Sequence, residues 1–311
     1  MFVIDANLDQ ETRWLGSPLK KPARQRASFA SLLLPVLAPE VPVLHTLEPF
    51  DPGSTDLLCP AELRTGTPVH ADLRWANPEA RAVNDRRFAL SLATELGLAL
   101  PGMTTIRSLD ELDHLLANRR TGPGGKWVAK APWSAAGRSR IFGRDNAIGP
   151  DDRIALPRLL ALAGELVFEP WLDRIFDVAV CGTVGDVIDL LPPHGLASGP
   201  TGSFHGISLD HPPLDRPELD QLRFAAERAG HALHAAGYRG PFGIDAFVYR
   251  EGNGRRLHPL CEINARHTFG HVAHAFGRRY GITRLGFDPA MPDGARSLVS
   301  VNGRVVAWGV L

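Results

Sequence analysis

The spacing of apolar residues changes character along the chain, and the changes mark out its parts. Before residue 84 the apolar runs are brief. Phe2-Val3-Ile4, Val41-Pro-Val-Leu44 and Asp56-Leu-Leu58 predict short strands, and a basic stretch from Lys20 turns apolar up to Leu37. These predict a small α/β domain over 1–83. At 84 a helical period begins. Asn84 or Asp85 is placed to cap a helix reaching Leu96, with Phe88, Leu92 and Leu96 on one stripe, and Gly97 to stop it. Ser108 with Glu111 three residues on predicts the start of a second helix.

Strand patterns follow over 126–130, 165–168, 176–183 and 187–191, with a helix over 153–163 between the first two. The stretch 192–213 holds five Pro and four Gly and predicts a long polar loop. A helix is expected over 217–236. Strands over 243–249 and 257–263 are then joined by the turn Glu251-Gly-Asn-Gly254. The expected division is 1–83, a central domain over 84–180 and a C-terminal domain over 181–311. No internal repeat is visible.

Composition narrows the function classes. The chain has 311 residues, with 34 basic and 34 acidic side chains. That balance argues against a surface for nucleic acid or anionic membrane, which needs a basic excess. The three cysteines, Cys59, Cys181 and Cys261, are far apart and build neither a disulfide framework nor a paired metal motif. A reducing, cytoplasmic setting is expected. Asp5 interrupts the apolar start, and Pro35, Pro39, Pro42 and Glu40 break the most apolar run, so no export signal or spanning helix is expected. Neutrality hides a segregation. Residues 119–144 carry seven basic residues and no acid, and residues 164–190 carry six acids against Arg174 alone.

Three features carry chemistry. The first is Lys130-Ala-Pro-Trp-Ser-Ala-Ala-Gly137-Arg138-Ser-Arg140, a strand ending in lysine that enters a loop of small residues. Small residues let backbone N–H groups approach an anion, and the basic side chains add charge. A solvated basic loop would read the same way. Only four of the basic residues are lysines, which makes Lys130 more informative. The second is Glu169-Pro-Trp171-Leu172 after an apolar strand, with Asp177 further on. Such a strand end can offer carbonyl and N–H groups to an adenine edge, and an ordinary turn with a surface acid has the same pattern.

The third feature is the strongest. Asp245 lies in one strand, and Glu262-Ile-Asn264-Ala-Arg266 ends the next. Residues two apart in a strand share a face, so Glu262 and Asn264 point together and Asp245 can join them. Three oxygen ligands suit Mg²⁺ or Mn²⁺. Arg266 is placed to meet a phosphate or carboxylate. Solvated acids on edge strands are the alternative, but Glu262 sits in the apolar run Leu260-Cys-Glu-Ile263, where a bare acid is costly to bury.

In this order, over residues 84–275, the three features resemble the ATP-grasp superfamily of carboxylate–amine ligases. The resemblance implies a mixed α/β fold with a small N-terminal domain and nucleotide bound between two antiparallel sheets. It implies that Lys130 touches phosphates and adenine, and that the loop with Ser134, Gly137 and Arg138 closes over the phosphates. It also implies that Glu169, Trp171 and Leu172 hold the base and Asp177 the ribose. Asp245, Glu262 and Asn264 would bind the metal, and Arg266, Lys130 and Arg138 would serve catalysis. The implied reaction is amide formation through an acyl phosphate, with ATP, small carboxylate and amine substrates, and a homodimer allowed. Arg138 and Arg140 favour an acidic substrate, such as an amino acid or a glutamyl-tailed cofactor.

Two positions depart from the family pattern. Asp85-Arg86-Arg87 stands where a further phosphate-binding lysine is common, so Arg86 would take its place. Gly243 stands where an arginine is common, leaving Arg239 or Arg266 as candidates. A small-molecule kinase and a nucleotide-binding regulatory module are the other function classes. His267, His271 and His274 have helical spacing and could bind zinc or simply pack. His205 is either a substrate contact or part of a surface loop.

Overall fold

The computed structural model of the chain describes residues 4–5, 14–16, 33–37, 43–44, 55–57, 78–134, 139–199, 203–287, 291–301 and 304–311. Near the N-terminus β1 (Ile4–Asp5) pairs in parallel with β2 (Val43–Leu44). β3 (Thr55–Leu57) instead joins the edge of the largest sheet. The three brief strands therefore fall where the apolar runs place them.

Two short helices open the continuous part, α1 (Pro78–Val83) and α2 (Arg86–Glu95). Asp85 caps α2 by accepting a hydrogen bond from the Arg87 N–H, as the sequence predicts. Next come β4 (Thr104–Ile106), α3 (Leu109–Ala117), β5 (Trp127–Lys130), β6 (Arg140–Gly143), α4 (Pro150–Ala163) and β7 (Leu166–Pro170). The four strands form an antiparallel sheet in the order β4-β7-β5-β6. Ile106, Trp127, Phe168, Leu112 and Leu156 fill the layer between this sheet and α3 and α4.

The second sheet begins at β8 (Arg174–Val184) and takes in β9 (Ile188–Leu190), β10 (His194–Ser198) and β11 (Phe204–Ser208). After α5 (Arg216–Ala235) come β12 (Gly240–Glu251) and β13 (Gly254–Asn264). After α6 (Phe269–Tyr280) the chain adds β14 (Arg284–Gly286), β15 (Arg296–Val301) and β16 (Arg304–Val310). The main path is β13-β12-β8-β10-β11-β14-β16-β15-β3, antiparallel throughout, with β9 paired to β8. α5 and α2 cover one region of it through Leu222, Ala226, Leu233 and Leu92 packed on Val180, Phe242 and Val248.

Two expectations are corrected. The polar loop expected over 192–213 contains the β10–β11 hairpin. β10 sits between β8 and β11, and β11 between β10 and β14, so backbone pairing on both edges makes strands of residues whose composition reads as loop. The boundary expected at 180 falls inside β8. The change from the small sheet to the large one lies between Pro170 and Arg174.

Gly143 shows how tightly the small sheet is built. It lies directly across from Trp127, which is fully buried. A Cβ on Gly143 would come within 2.0 Å of the Trp127 ring. Overpacking of a core typically costs about 1–3 kcal/mol, so Gly143→Ala is expected to lower stability by at least about 2 kcal/mol in urea unfolding. A change below about 0.5 kcal/mol would show that the sheet yields easily.

Candidate active site

The acids of the third feature come together as the strand spacing requires. In the β12–β13 hairpin Asp245 is the direct partner of Glu262, and Gly243 that of Asn264. Asn264 Nδ2 donates to Asp245 Oδ2 at 3.3 Å. Beyond Asp245 the register shifts, so that Phe247 pairs with His258. Pro259 lies in the bulged stretch, where a residue without an N–H is tolerated. Burial, then the Glu262 charge, raises the Asp245 carboxyl to about 7.

A cation would relieve that repulsion, and two carboxylates beside a carboxamide offer hard oxygen donors of the kind Mg²⁺ or Mn²⁺ takes. The residues present therefore fit such an ion. Among the described residues no cluster of three or more His, Cys, Asp or Glu side chains gathers to hold a metal, so the candidate set depends on Asn264 as its third member.

Arg86 ties these acids to the start of the small-residue loop after β5. Its Nη2 donates to Glu262 Oε1 at 3.0 Å and to the Ser134 carbonyl at 3.2 Å. Its Nη1 donates to Ser134 Oγ and the Ala131 carbonyl. The Arg86 N–H also binds the Pro132 carbonyl. Trp133 is pinned from the other side by its indole N–H on the Arg81 carbonyl, with Arg81 and Arg87 over its ring. The base of the loop is thus fixed on the corner between α1 and α2. Gly137 and Arg138 lie outside the described residues.

Asn84 has a larger role than its capping position suggests. It clamps Ala265 in both directions, donating to its carbonyl and accepting from its N–H. This holds the strand end from which Arg266 extends. Arg266 is half-buried, and its charge favours the ionised form of Asp245. Arg239 spends its Nη1 on the His234 and Tyr238 carbonyls.

The second feature meets the first. Lys130 Nζ and Glu169 Oε2 form a buried ion pair at 2.5 Å. Burial alone would raise the Glu169 carboxyl, but the Lys130 ammonium reverses this and holds it below its ordinary value. Leu172 packs with Leu100, Met103, Phe247, Tyr249 and Cys261 at the seam between the sheets. Trp171 meets Phe142 edge to face at 4.7 Å. Asp177 accepts a hydrogen bond from Arg174 at 3.1 Å.

Burial, then the charges of Arg86 and Arg174, lowers the Arg140 guanidinium from its ordinary value. Three arginines close enough to repel one another mark a place suited to an anion. Three residues of the seam were missed as site residues. Arg174 is the single base in the acidic segment. Phe247 follows Asp245 by two positions in one strand. Arg140 is legible as part of the basic loop after Lys130 and as a charge favouring an acidic substrate, but not as a neighbour of Arg86 and Arg174.

The histidines make local contacts. α6 begins after His267, so the three do not share one helix face. His271 caps that helix by accepting from the Thr268 N–H, and its Nε2 meets the Gly182 carbonyl. His274 Nε2 meets the Pro192 carbonyl. Burial lowers His271 to about 4 and His267 to about 3. His205 lies in β11 and pairs with Ser203.

The sequence matches no protein-family model and no curated protein. Its structure is similar to part of pyruvate carboxylase from Rhizobium etli, solved with acetyl coenzyme A. The TM-score is 0.50 at 18% identity, over 66% of this chain and 17% of that one. The chain has the ATP-grasp fold. Lower-scoring likenesses include N5-carboxyaminoimidazole synthetase from Staphylococcus aureus, solved with ADP, at TM-score 0.46 and 14% identity over 60% of this chain and 45% of that one. Another is the biotin carboxylase domain of the Hydrogenobacter thermophilus 2-oxoglutarate carboxylase, solved with MgADP, ADP and bicarbonate. There the TM-score is 0.48 at 14% identity, over 61% and 41%. The chain spans less than half the length of each of these three proteins. No helix among its described residues is long and apolar enough to cross a membrane.

The raised Asp245 carboxyl has a measurable consequence. The folded chain keeps a proton that the unfolded chain gives up as pH rises from 3.8 to about 7. Stability is therefore lost across that window. Asp245→Asn is expected to raise the melting temperature more at pH 8 than at pH 5. Added Mg²⁺ should raise it at pH 8 in the parent and not in the variant. An equal effect of the substitution at both pH values would show that Asp245 does not titrate between them.

Proposed function

We propose that the chain is an ATP-dependent ligase that joins a small carboxylate to an amine through an acyl phosphate, releasing ADP and phosphate. The observation that carries this reading is the Arg86 guanidinium, which touches both the base of the phosphate loop at Ser134 and the acid Glu262. It brings the cation-rich segment and the acid-lined strand edge to one seam. A nucleotide with its metal needs that division of charge.

In this reading Arg86, Lys130, Ser134, Gly137 and Arg138 hold the phosphates. Glu169, Trp171 and Leu172 hold the base, and Asp177 the ribose. Asp245, Glu262 and Asn264 bind Mg²⁺ or Mn²⁺, which would draw charge from the phosphoryl oxygens when bound. The chain's own work is positioning and charge. The substrate carboxylate oxygen attacks the γ-phosphorus, the bond from that phosphorus to the bridging oxygen breaks, and ADP leaves. The amine then adds to the acyl carbon, Arg266 steadies the oxyanion, and its collapse breaks the bond from carbon to the phosphate oxygen, so that phosphate departs as the nitrogen sheds a proton. Closure over the cleft would keep water from the acyl phosphate. The cations Arg138 and Arg140 favour an acidic carboxylate substrate.

The first test is ADP release with MgATP and a panel of amino acids and small carboxylates. Glu262→Gln is expected to lower turnover at least about 100-fold without loss of far-UV signal. Near-parental turnover would remove the reading. Lys130→Ala is a poorer probe, because stranding the buried Glu169 carboxylate costs about 3–5 kcal/mol of stability. With ¹⁸O in the substrate carboxylate, one label should appear in the released phosphate. Its absence would point to a hydroxyl acceptor and kinase chemistry.

A further inference from the structure

Arg174 lies against the Trp171 and Phe247 rings. Arg174 opens β8, directly after the sheets change over. Its guanidinium carbon lies 3.9 Å from the Phe247 ring centroid and 4.5 Å from that of Trp171. Its Nη1 is paired with Asp177. Its Nε is shielded from solvent and meets no acceptor. The same charge acts on Glu169, Arg140, His258 and Cys261, which places it at the centre of the seam and not at its rim.

A nucleoside bound as proposed above needs a flat apolar wall, an edge partner in Glu169 and a carboxylate for its sugar. Arg174 occupies the first and the last at once. A guanidinium is planar and stacks on aromatic faces much as a base does, whereas an ammonium only approaches them as a point charge. Its unpartnered Nε is the sign of a compromise. The side chain fits the slot without satisfying all its donors, so a better-fitting occupant can replace it.

We propose that Arg174 is a built-in stand-in for the nucleobase, filling the Trp171–Phe247 slot in the free chain and leaving it when a purine nucleotide binds. The exchange breaks the Arg174–Asp177 ion pair and frees Asp177 to accept from ribose hydroxyls. Nucleotide affinity is then reduced by the fraction of time that Arg174 holds the slot. Arg174 sets affinity by competing with the ligand and does not contribute a contact to it. The inference rests on the nucleotide reading of the site.

The test is calorimetric titration of the full chain with MgADP, comparing the parent, Arg174→Gln and Arg174→Lys. Arg174→Gln is expected to bind about three- to thirty-fold more tightly than the parent, the range set by a cation–π contact between partly and fully desolvated. Arg174→Lys keeps the pair with Asp177 but loses planar stacking, so it should fall between the two. Should Arg174→Gln fail to fold, tighter binding by Arg174→Lys carries the same meaning. Equal or weaker binding by the variants, with a parent that binds, overturns the stand-in while leaving the nucleotide reading intact. No binding by any of the three overturns both. Binding by the variants alone supports both.

Discussion

Asp245 and Glu262 face each other across two paired strands, and much of the site answers that juxtaposition. Two carboxylates at one register position repel, and burial sharpens the repulsion. The chain relieves it in three ways. Asp245 holds its proton to higher pH. Asn264 donates to it from the neighbouring position. Arg86 reaches from α2 to Glu262. That last contact also fixes how the small sheet sits, because the same guanidinium holds the carbonyls and hydroxyl at the loop base. One charge problem on the large sheet is thus answered by a side chain that also holds the start of the small-residue loop after β5.

The seam also explains the division of charge along the chain. The basic segment supplies Lys130 and Arg140, and the acidic segment supplies Glu169 and Asp177. Lys130 pairs with Glu169 between β5 and β7, Arg174 pairs with Asp177 within β8, and Arg86 reaches from α2 to Glu262 in β13. Each pair costs desolvation. Pairs of this kind are poor evidence for stability. Phe247, Trp171 and Phe142 line the seam with aromatic rings.

Much of this was legible in the residues. Local signals announced the cap of α2, the start of α3, and β5, β7, β12 and β13, because period and capping chemistry are written within a few positions. The shared face of Glu262 and Asn264 follows from strand geometry alone. The β10–β11 hairpin did not show, since its strands are made by neighbours on both edges and are short and interrupted by Gly, Ser and His. β14, β15 and β16 were also not anticipated. Arg86 was legible as a cation near phosphate, but its bridge between Ser134 and Glu262 joins residues 48 and 176 positions away. Arg174 was visible only as the odd base among acids. Its stacking on Phe247 depends on how the two sheets close.

The central claim is that this seam binds a divalent cation together with a nucleotide. It is tested most directly by electron paramagnetic resonance of Mn²⁺ titrated into the full chain, with and without ADP. The account predicts that ADP lowers the free Mn²⁺ signal beyond what ADP alone binds, and that Asp245→Asn with Glu262→Gln removes this excess. An excess that is absent in the parent, or that survives in the double variant, would contradict it.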